Sequence, residues 1–391
     1  MKNKFILGLC LTALAVFLAA CGGDAGQAVA DLQSTVSDLE SQLEEAKSMA
    51  ADAETKLEEA MAMGEEEGAA APTADTLAAV QDRGVLKCGT GAGAAPGFAF
   101  IQEDGSWEGF NVDFCKVFAA AVLGDSSAVE EVVTTGTTRF PILQSGDADV
   151  LSNSTTWTFS RDTSLGFDFV PTVFYDGQGM MVRADSGIET IADLDGGSVC
   201  VATGTTTEKN LADVFRELDI SYEAVVFEET GDVTRSSFEE GRCDGYTTDA
   251  SALVGSLVLF DDPSSVKILG DVMSKEPLGP LVRHGDDNWF DIIKWSVNCT
   301  IQAEELGITQ ANVDDMLGSD NPAILNTLGV EGDLGQAIGL NNDFCYQIIS
   351  QMGNYGEIFT KNLGPDTPFN LPRGVNAQWN NGGLLYSPPF R

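Results

Sequence analysis

Hydrophobic and polar positions change their spacing twice along this chain. Residues 5–17 form one apolar run with Thr12 as its single polar side chain. Between residues 29 and 60 the apolar positions recur in heptads: Val29, Val36, Leu43, Ala50 and Leu57 on one seam, Leu32, Leu39, Ala46, Ala53 and Ala60 on the other. With neither Gly nor Pro inside, this spacing predicts a coiled-coil helix whose alanine-rich second half weakens its seam. From about residue 75 onward, short apolar runs alternate with helical periodicity. Strands are predicted at 85–90, 129–134, 148–151, 175–183, 199–202, 225–227 and 245–249. Helices are predicted at 114–122, 140–145, 209–218, 235–240, 289–306, 312–317 and 343–359. Alternation of this kind argues for parallel sheets covered by helices.

Ligands of open α/β sheets sit beyond the carboxyl ends of strands. The strand ending at Leu151 runs into Ser152, Asn153, Ser154, Thr155 and Thr156, then Trp157 and Arg161. Hydroxyls, an amide and a guanidinium in that place suit a small polar ligand, with Arg161 as a two-pronged carboxylate anchor. A polar loop bonded to its own backbone is the other reading. The turn 204–208 (GTTTE) links a strand to a helix and leaves free N–H groups for an anion. Thr205 and Glu208 also fit a capping box, with Thr206 left to face a ligand. Asp249 ends a strand, placed either to meet a cation or to cap the next helix.

Charge and cysteine content narrow the classes. A net charge of -39 opposes nucleic-acid binding, because phosphates would be repelled. The loop 91–98 (GAGAAPGF) leads into no helix and is not a dinucleotide fingerprint. Eight cysteines are present. Cys10 lies in the apolar leader and Cys21 follows Leu18-Ala19-Ala20, the pattern of a bacterial lipobox. The leader is too short to span a bilayer but has the length of a signal-peptide core, flanked by Lys2 and Lys4. Cleavage before Cys21 and lipidation of its thiol are expected, with about 40 helical residues then able to hold the body on the order of 60 Å from the membrane. The remaining Cys88, Cys115, Cys200, Cys243, Cys299 and Cys345 suit disulfides in an exported protein. Several connectivities are open. Sequential pairs, each inside one part of the fold, are the proposal. With no CxxC and His284 as the only histidine, no metal site and no cofactor are expected.

The segments GFNVDFC, NSTTWTFSRDT, FYDGQGMMV, ATGTTTEKN, GRCDGYTTDAS, EPLGPLVRHGDDNWFDIIKW and NAQWNNGGLLYSPPFR run in order from about residue 85 to the C-terminus. In them the chain resembles the extracytoplasmic solute-binding proteins of polar amino-acid ABC importers, bacterial solute-binding protein family 3, and most of all their general L-amino-acid-binding branch. The resemblance implies an α/β, two-lobed periplasmic-binding-protein-like type II fold with two crossover strands, here preceded by a helical coiled-coil stalk. The stalk is not part of the usual family pattern; with the leader and heptads read above, the expected organisation is a lipoprotein signal peptide at 1–20, a lipidated acidic coiled-coil stalk and linker at 21–74, first lobe at 75–180, second lobe at 181–274, and the rest of the first lobe with a C-terminal strap at 275–391. Carried over by motif, Arg161 takes an α-carboxylate, Asn153, Ser154 and Thr156 surround it, Thr205 and Thr206 complete the carboxylate site, and Asp249 meets the α-ammonium. Phe98 and Trp157 are candidates for the side-chain pocket. The resemblance implies an L-amino acid and a membrane permease of an ABC importer as partners; the lipobox adds the membrane itself through the lipid, and the heptads add a second copy through the stalk, a lone helical spacer being the other reading of that stretch. The expected place is extracytoplasmic, anchored to the cell membrane, and no catalysis is expected. A sensing or scaffold lipoprotein, or a periplasmic dehydratase on the same fold, is the alternative.

Overall fold

The computed structural model describes residues 75–91, 96–228 and 232–391. The expected signal peptide, Cys21 lipidation and coiled-coil stalk lie outside the described residues.

Two five-stranded sheets organise the described body. In the first, Leu86–Gly91 pairs in parallel with both Val129–Thr134 and Val150–Leu151. Leu281–Arg283 then joins antiparallel, between Val150–Leu151 and Phe167–Phe169. In the second, Gly197–Ala202 lies parallel to Tyr222–Phe227 and Gly245–Asp249. Gln178–Arg183 closes it antiparallel, with Val266–Ile268 at its far edge. The sheets are therefore mixed rather than purely parallel. The antiparallel members are the segments that return from a crossing between sheets, which simple strand–helix alternation does not reveal.

The chain crosses between the sheets at Phe174–Asp176 and Glu276–Leu278, which pair antiparallel with each other. The long strand expected at 175–183 is thus two strands broken at Gly177, the first in the crossover and the second, Gln178–Arg183, wholly in the second sheet. Gly177 has no room for a Cβ, which would lie 2.7 Å from Val272 and 3.0 Å from the Ser274 carbonyl.

The first lobe holds the larger core. Its helix Phe110–Leu123 is buried on nearly every face. It starts at Gly109, where a Cβ would strike the Phe98 carbonyl, and stops at the left-handed Gly124. Phe110, Phe114, Trp289, Tyr355 and Phe359 share this core, and the Tyr355 hydroxyl donates to the Val173 carbonyl at 2.7 Å. The single helix expected at 343–359 is two, Phe344–Met352 and Tyr355–Leu363. Gly353 at φ 79° breaks it, and Asn354 with Glu357 forms a capping box that starts the second. The second sheet carries smaller apolar clusters, around Leu211 and Phe215 and around Phe238 and Phe260. Disulfides join Cys88 to Cys115, Cys200 to Cys243 and Cys299 to Cys345, with Cα–Cα distances of 5.8, 5.7 and 5.8 Å. Each stays inside one lobe and contributes roughly 2–4 kcal/mol.

Candidate functional site

Strand ends of both sheets converge on one cleft that opens to solvent. The first lobe lines it with Phe98, Thr134, Thr135, Gly136, Arg139, Asn153, Ser154 and Thr156. The second contributes Thr205, Thr206, Thr207, Thr248, Asp249, Ser251 and Ala252. Of the residues singled out in the sequence, Phe98, Asn153, Ser154, Thr156, Thr205, Thr206 and Asp249 come together here. Trp157 does not: its ring stacks on Phe169 at 6.1 Å and lies outside the lining. Arg161 is not in the lining either. It is 7 % exposed, its Nη1 donates to the Thr156 carbonyl at 2.9 Å, and its guanidinium lies over the Phe140 ring.

The polar run after Leu151 is held by its own lobe. Ser152 Oγ donates to the Asn111 carbonyl, Asn111 Nδ2 donates to Ser154 Oγ, and Asn153 Nδ2 donates to Thr134 Oγ1 at 2.6 Å. Ser154 adopts φ 38°, the left-handed region that costs a non-glycine residue energy. The loop reading and the site reading are therefore both met, since internal hydrogen bonds fix the very groups that line the cleft.

Arg139 is the residue that sequence reasoning passed over. It is 6 % exposed, its Nη1 and Nη2 make only long contacts of 3.4 Å to Thr155 and to the Gly204 carbonyl, and its buried Nε has no partner. Burial, then the nearby Arg161 charge, lowers its pKa to about 9. Burial likewise lowers Arg161 to about 10, against the pull of Glu276 and Asp249. Neither arginine forms an ion pair among the described residues. Two nearly buried, unpaired guanidiniums side by side are costly in a protein that gives them nothing to bind. A signal for Arg139 was in the sequence: TGTTR follows the strand Val129–Thr134 as SNSTTWTFSR follows Val150–Leu151.

Asp249 faces these cations from the second lobe. It stands at the N-cap position of Ala250–Ser256 but makes no capping hydrogen bond, so its carboxylate is left for the cleft. Burial, with Asp176 and Glu276 close by, raises its pKa well above the ordinary carboxylate range. Asp176, raised by its own burial, accepts hydrogen bonds from the Ser251 N–H and hydroxyl. At the helix Thr206–Glu217, Thr205 Oγ1 accepts from Glu208 N, while the N–H groups of the first turn lack intrahelical partners.

The lobes touch around the cleft. Thr156 Oγ1 and Thr206 Oγ1 are 3.1 Å apart. A Cβ on Gly136 would lie 2.5 Å from the Thr203 carbonyl, and one on Gly255 2.7 Å from the Pro96 carbonyl. Cations on one lobe, an anion and a helix N-terminus on the other, and backbone contact at the lips define a two-lobed binding protein for a small ligand carrying both charges.

The comparisons fit that class. The chain belongs to the bacterial extracellular solute-binding proteins, family 3, whose profile matches residues 86–310. It is a solute-binding protein that works outside the cytoplasm, and not an enzyme. It is 49 % identical over 326 residues to the general L-amino acid-binding periplasmic protein AapJ of Rhizobium johnstonii, covering 83 % of this chain and 95 % of that one. It is 49 % identical over 324 residues to the glutamate/glutamine/aspartate/asparagine-binding protein BztA of Rhodobacter capsulatus, with the same coverage of 83 % and 95 %. Among solved structures it is similar to an ABC transporter periplasmic binding protein from Brucella ovis with glutathione bound. The TM-score is 0.78 and the identity 47 %, over 81 % of this chain and all of that one.

Proposed function

We propose that the protein is a lipid-anchored receptor that captures L-amino acids by closing its lobes on them and delivers them to an ABC importer. The observation that carries this reading is the nearly buried Arg139, which lines the cleft across from the uncapped Asp249, with the nearly buried Arg161 behind it over the same Phe140 ring and neither arginine in an ion pair among the described residues. A zwitterion supplies what each side lacks. Its carboxylate goes to Arg161 and the first-turn N–H groups of Thr206–Glu217, its ammonium to Asp249. Asn153, Ser154 and Thr156 flank these ends, and Phe98 borders the side chain. Arg139 takes a second anionic or amide group of the ligand. The relatives support this reading by name: one is a general L-amino-acid binder, and another binds acidic amino acids and their amides. Lipidation at Cys21 and a stalk over residues 29–60 complete the proposal, with self-association of the stalk as its measurable consequence.

The test is thermal stability of the full chain against a panel of L-amino acids and glutathione. At about 100 times Kd a ligand that binds only the folded state adds roughly 2.7 kcal/mol of stability. Stabilisation by several L-amino acids, lost in Arg161→Ala, is the expected result. Silence of folded, ligand-free protein across the panel would sink the reading.

A further inference from the structure

Glu276 lies on the second crossover strand, is 1 % exposed, and receives four hydrogen-bond donors. Thr156 Oγ1, from the first lobe, donates to its Oε2 at 2.5 Å. Thr206 Oγ1, from the second, donates to the same Oε2 at 3.0 Å. Asn210 Nδ2 donates to Oε1 at 2.7 Å, and Ser274 Oγ donates to Oε1 as well. A threonine hydroxyl has one proton. Thr156 and Thr206, two of the threonines that line the cleft, both reach Glu276 Oε2 and lie 3.1 Å from each other, so their two protons are taken up inside this cluster and each turns lone pairs toward a ligand.

We propose that Glu276 is a positioning residue that fixes the hydrogen-bonding polarity of the cleft, holding Thr156 and Thr206 as acceptors that select a ligand ammonium. The consequence reverses one expectation from the sequence. The Thr206 hydroxyl serves the cationic end of the ligand, and only its backbone N–H serves the carboxylate. A carboxylate placed against the two hydroxyls would meet lone pairs from both, while an ammonium beside them has three protons to give. Because one hydroxyl comes from each lobe, the same carboxylate ties ammonium recognition to the approach of the lobes. The charged groups around it are Arg161 and Asp249, which share its field, and Asp176 on the partner crossover strand.

This inference rests on the amino-acid-binding reading, and its test separates the two. L-glutamate and L-alanine are titrated into the full chain by calorimetry, each beside the acid that lacks only its α-amino group, glutarate and propionate. Glu276→Gln keeps the shape but replaces one acceptor oxygen with a donor, freeing or turning the threonine hydroxyls. Discrimination for the amino acid over its deaminated partner is expected to shrink about tenfold or more, a shift of about 1.4 kcal/mol. Thr206→Val is expected to do the same and Thr206→Ser to restore it, so the test survives if Glu276→Gln does not fold. Equal weakening of amino acid and deaminated acid in these variants would make Glu276 a structural brace only and overturn the proposal. Failure of the wild-type chain to bind either amino acid would overturn the amino-acid reading itself, and this inference with it.

Discussion

The two lobes bring opposite charges to one cleft, and they hold them differently. The first lobe contributes Arg139 in the lining and Arg161 just behind it, both over the Phe140 ring, which stacks on Phe167 in a small cluster of that lobe. The second contributes Asp249 and the start of Thr206–Glu217, built on a sheet with smaller apolar clusters. Each side carries charge, buried in Arg139 and Arg161 and partly buried in Asp249, that its own lobe does not neutralise. Such charge destabilises the free protein and becomes favourable only when a partner arrives. The arrangement therefore exchanges stability for affinity, and that exchange can be measured.

The largest effect is expected at Asp249. Truncating one member of a buried charged contact costs about 2–5 kcal/mol of binding, so Asp249→Asn should weaken amino-acid affinity by roughly 30- to several thousand-fold. The same change should raise the melting temperature of the ligand-free protein by about 1–3 °C at neutral pH. The sign follows from the raised pKa of Asp249, whose largest cause is burial. Its protonated form is favoured by the fold, so its contribution to stability is complete below about pH 4 and is lost as pH rises through the raised value. Asparagine removes that loss. A drop in both affinity and free-protein stability would break the comparison.

Next come the arginines. Each charge-assisted hydrogen bond contributes roughly 1.5–3 kcal/mol, so Arg161→Ala should weaken every amino acid about 10- to 150-fold. Arg139→Ala should weaken L-glutamate and L-glutamine by a similar factor but L-alanine by less than about threefold. Equal losses across all three ligands would place Arg139 at the α-carboxylate instead. Gly136→Ala ranks below these. Gly136 has a backbone that alanine accepts, yet its Cβ would lie 2.5 Å from the Thr203 carbonyl across the cleft. An affinity loss of about tenfold with unchanged free-protein stability is expected, measured by calorimetry and thermal melting. The smallest effect is the pH dependence of affinity on its acid limb. Binding of an ammonium favours ionised Asp249, so affinity should rise as pH climbs from about 4 through the raised pKa, and the slope should vanish in Asp249→Asn.

Much of the cleft could be read before any coordinates, because hydroxyl runs after strands are local signals. The run 152–156 and the Gly-Thr turn at 204–206 declare themselves by composition. Arg139 follows the same grammar, but its hydroxyl run is interrupted by Gly136 and carries no amide, so its signal is weaker. Glu276 offered no such cue. It stands before Pro277 in a stretch that reads as exposed, and it is buried only because Glu276–Leu278 pairs with Phe174–Asp176, far back in the chain. The mixed character of the sheets was hidden for the same reason: strand direction depends on where the chain crosses over. The break at Gly353 was legible as glycine followed by Asn354 and Glu357, but apolar periodicity continues through it.

The claim that a zwitterion is held between first-lobe cations and a second-lobe anion is tested most directly by one calorimetric series. L-glutamate is titrated into the wild-type chain, Arg161→Ala and Asp249→Asn under the same neutral buffer. Affinity near micromolar, about -8 kcal/mol, is expected for the wild type, with a loss of tenfold or more in each variant. Wild-type binding that survives both substitutions within about threefold would place the ligand's charges elsewhere and contradict the account.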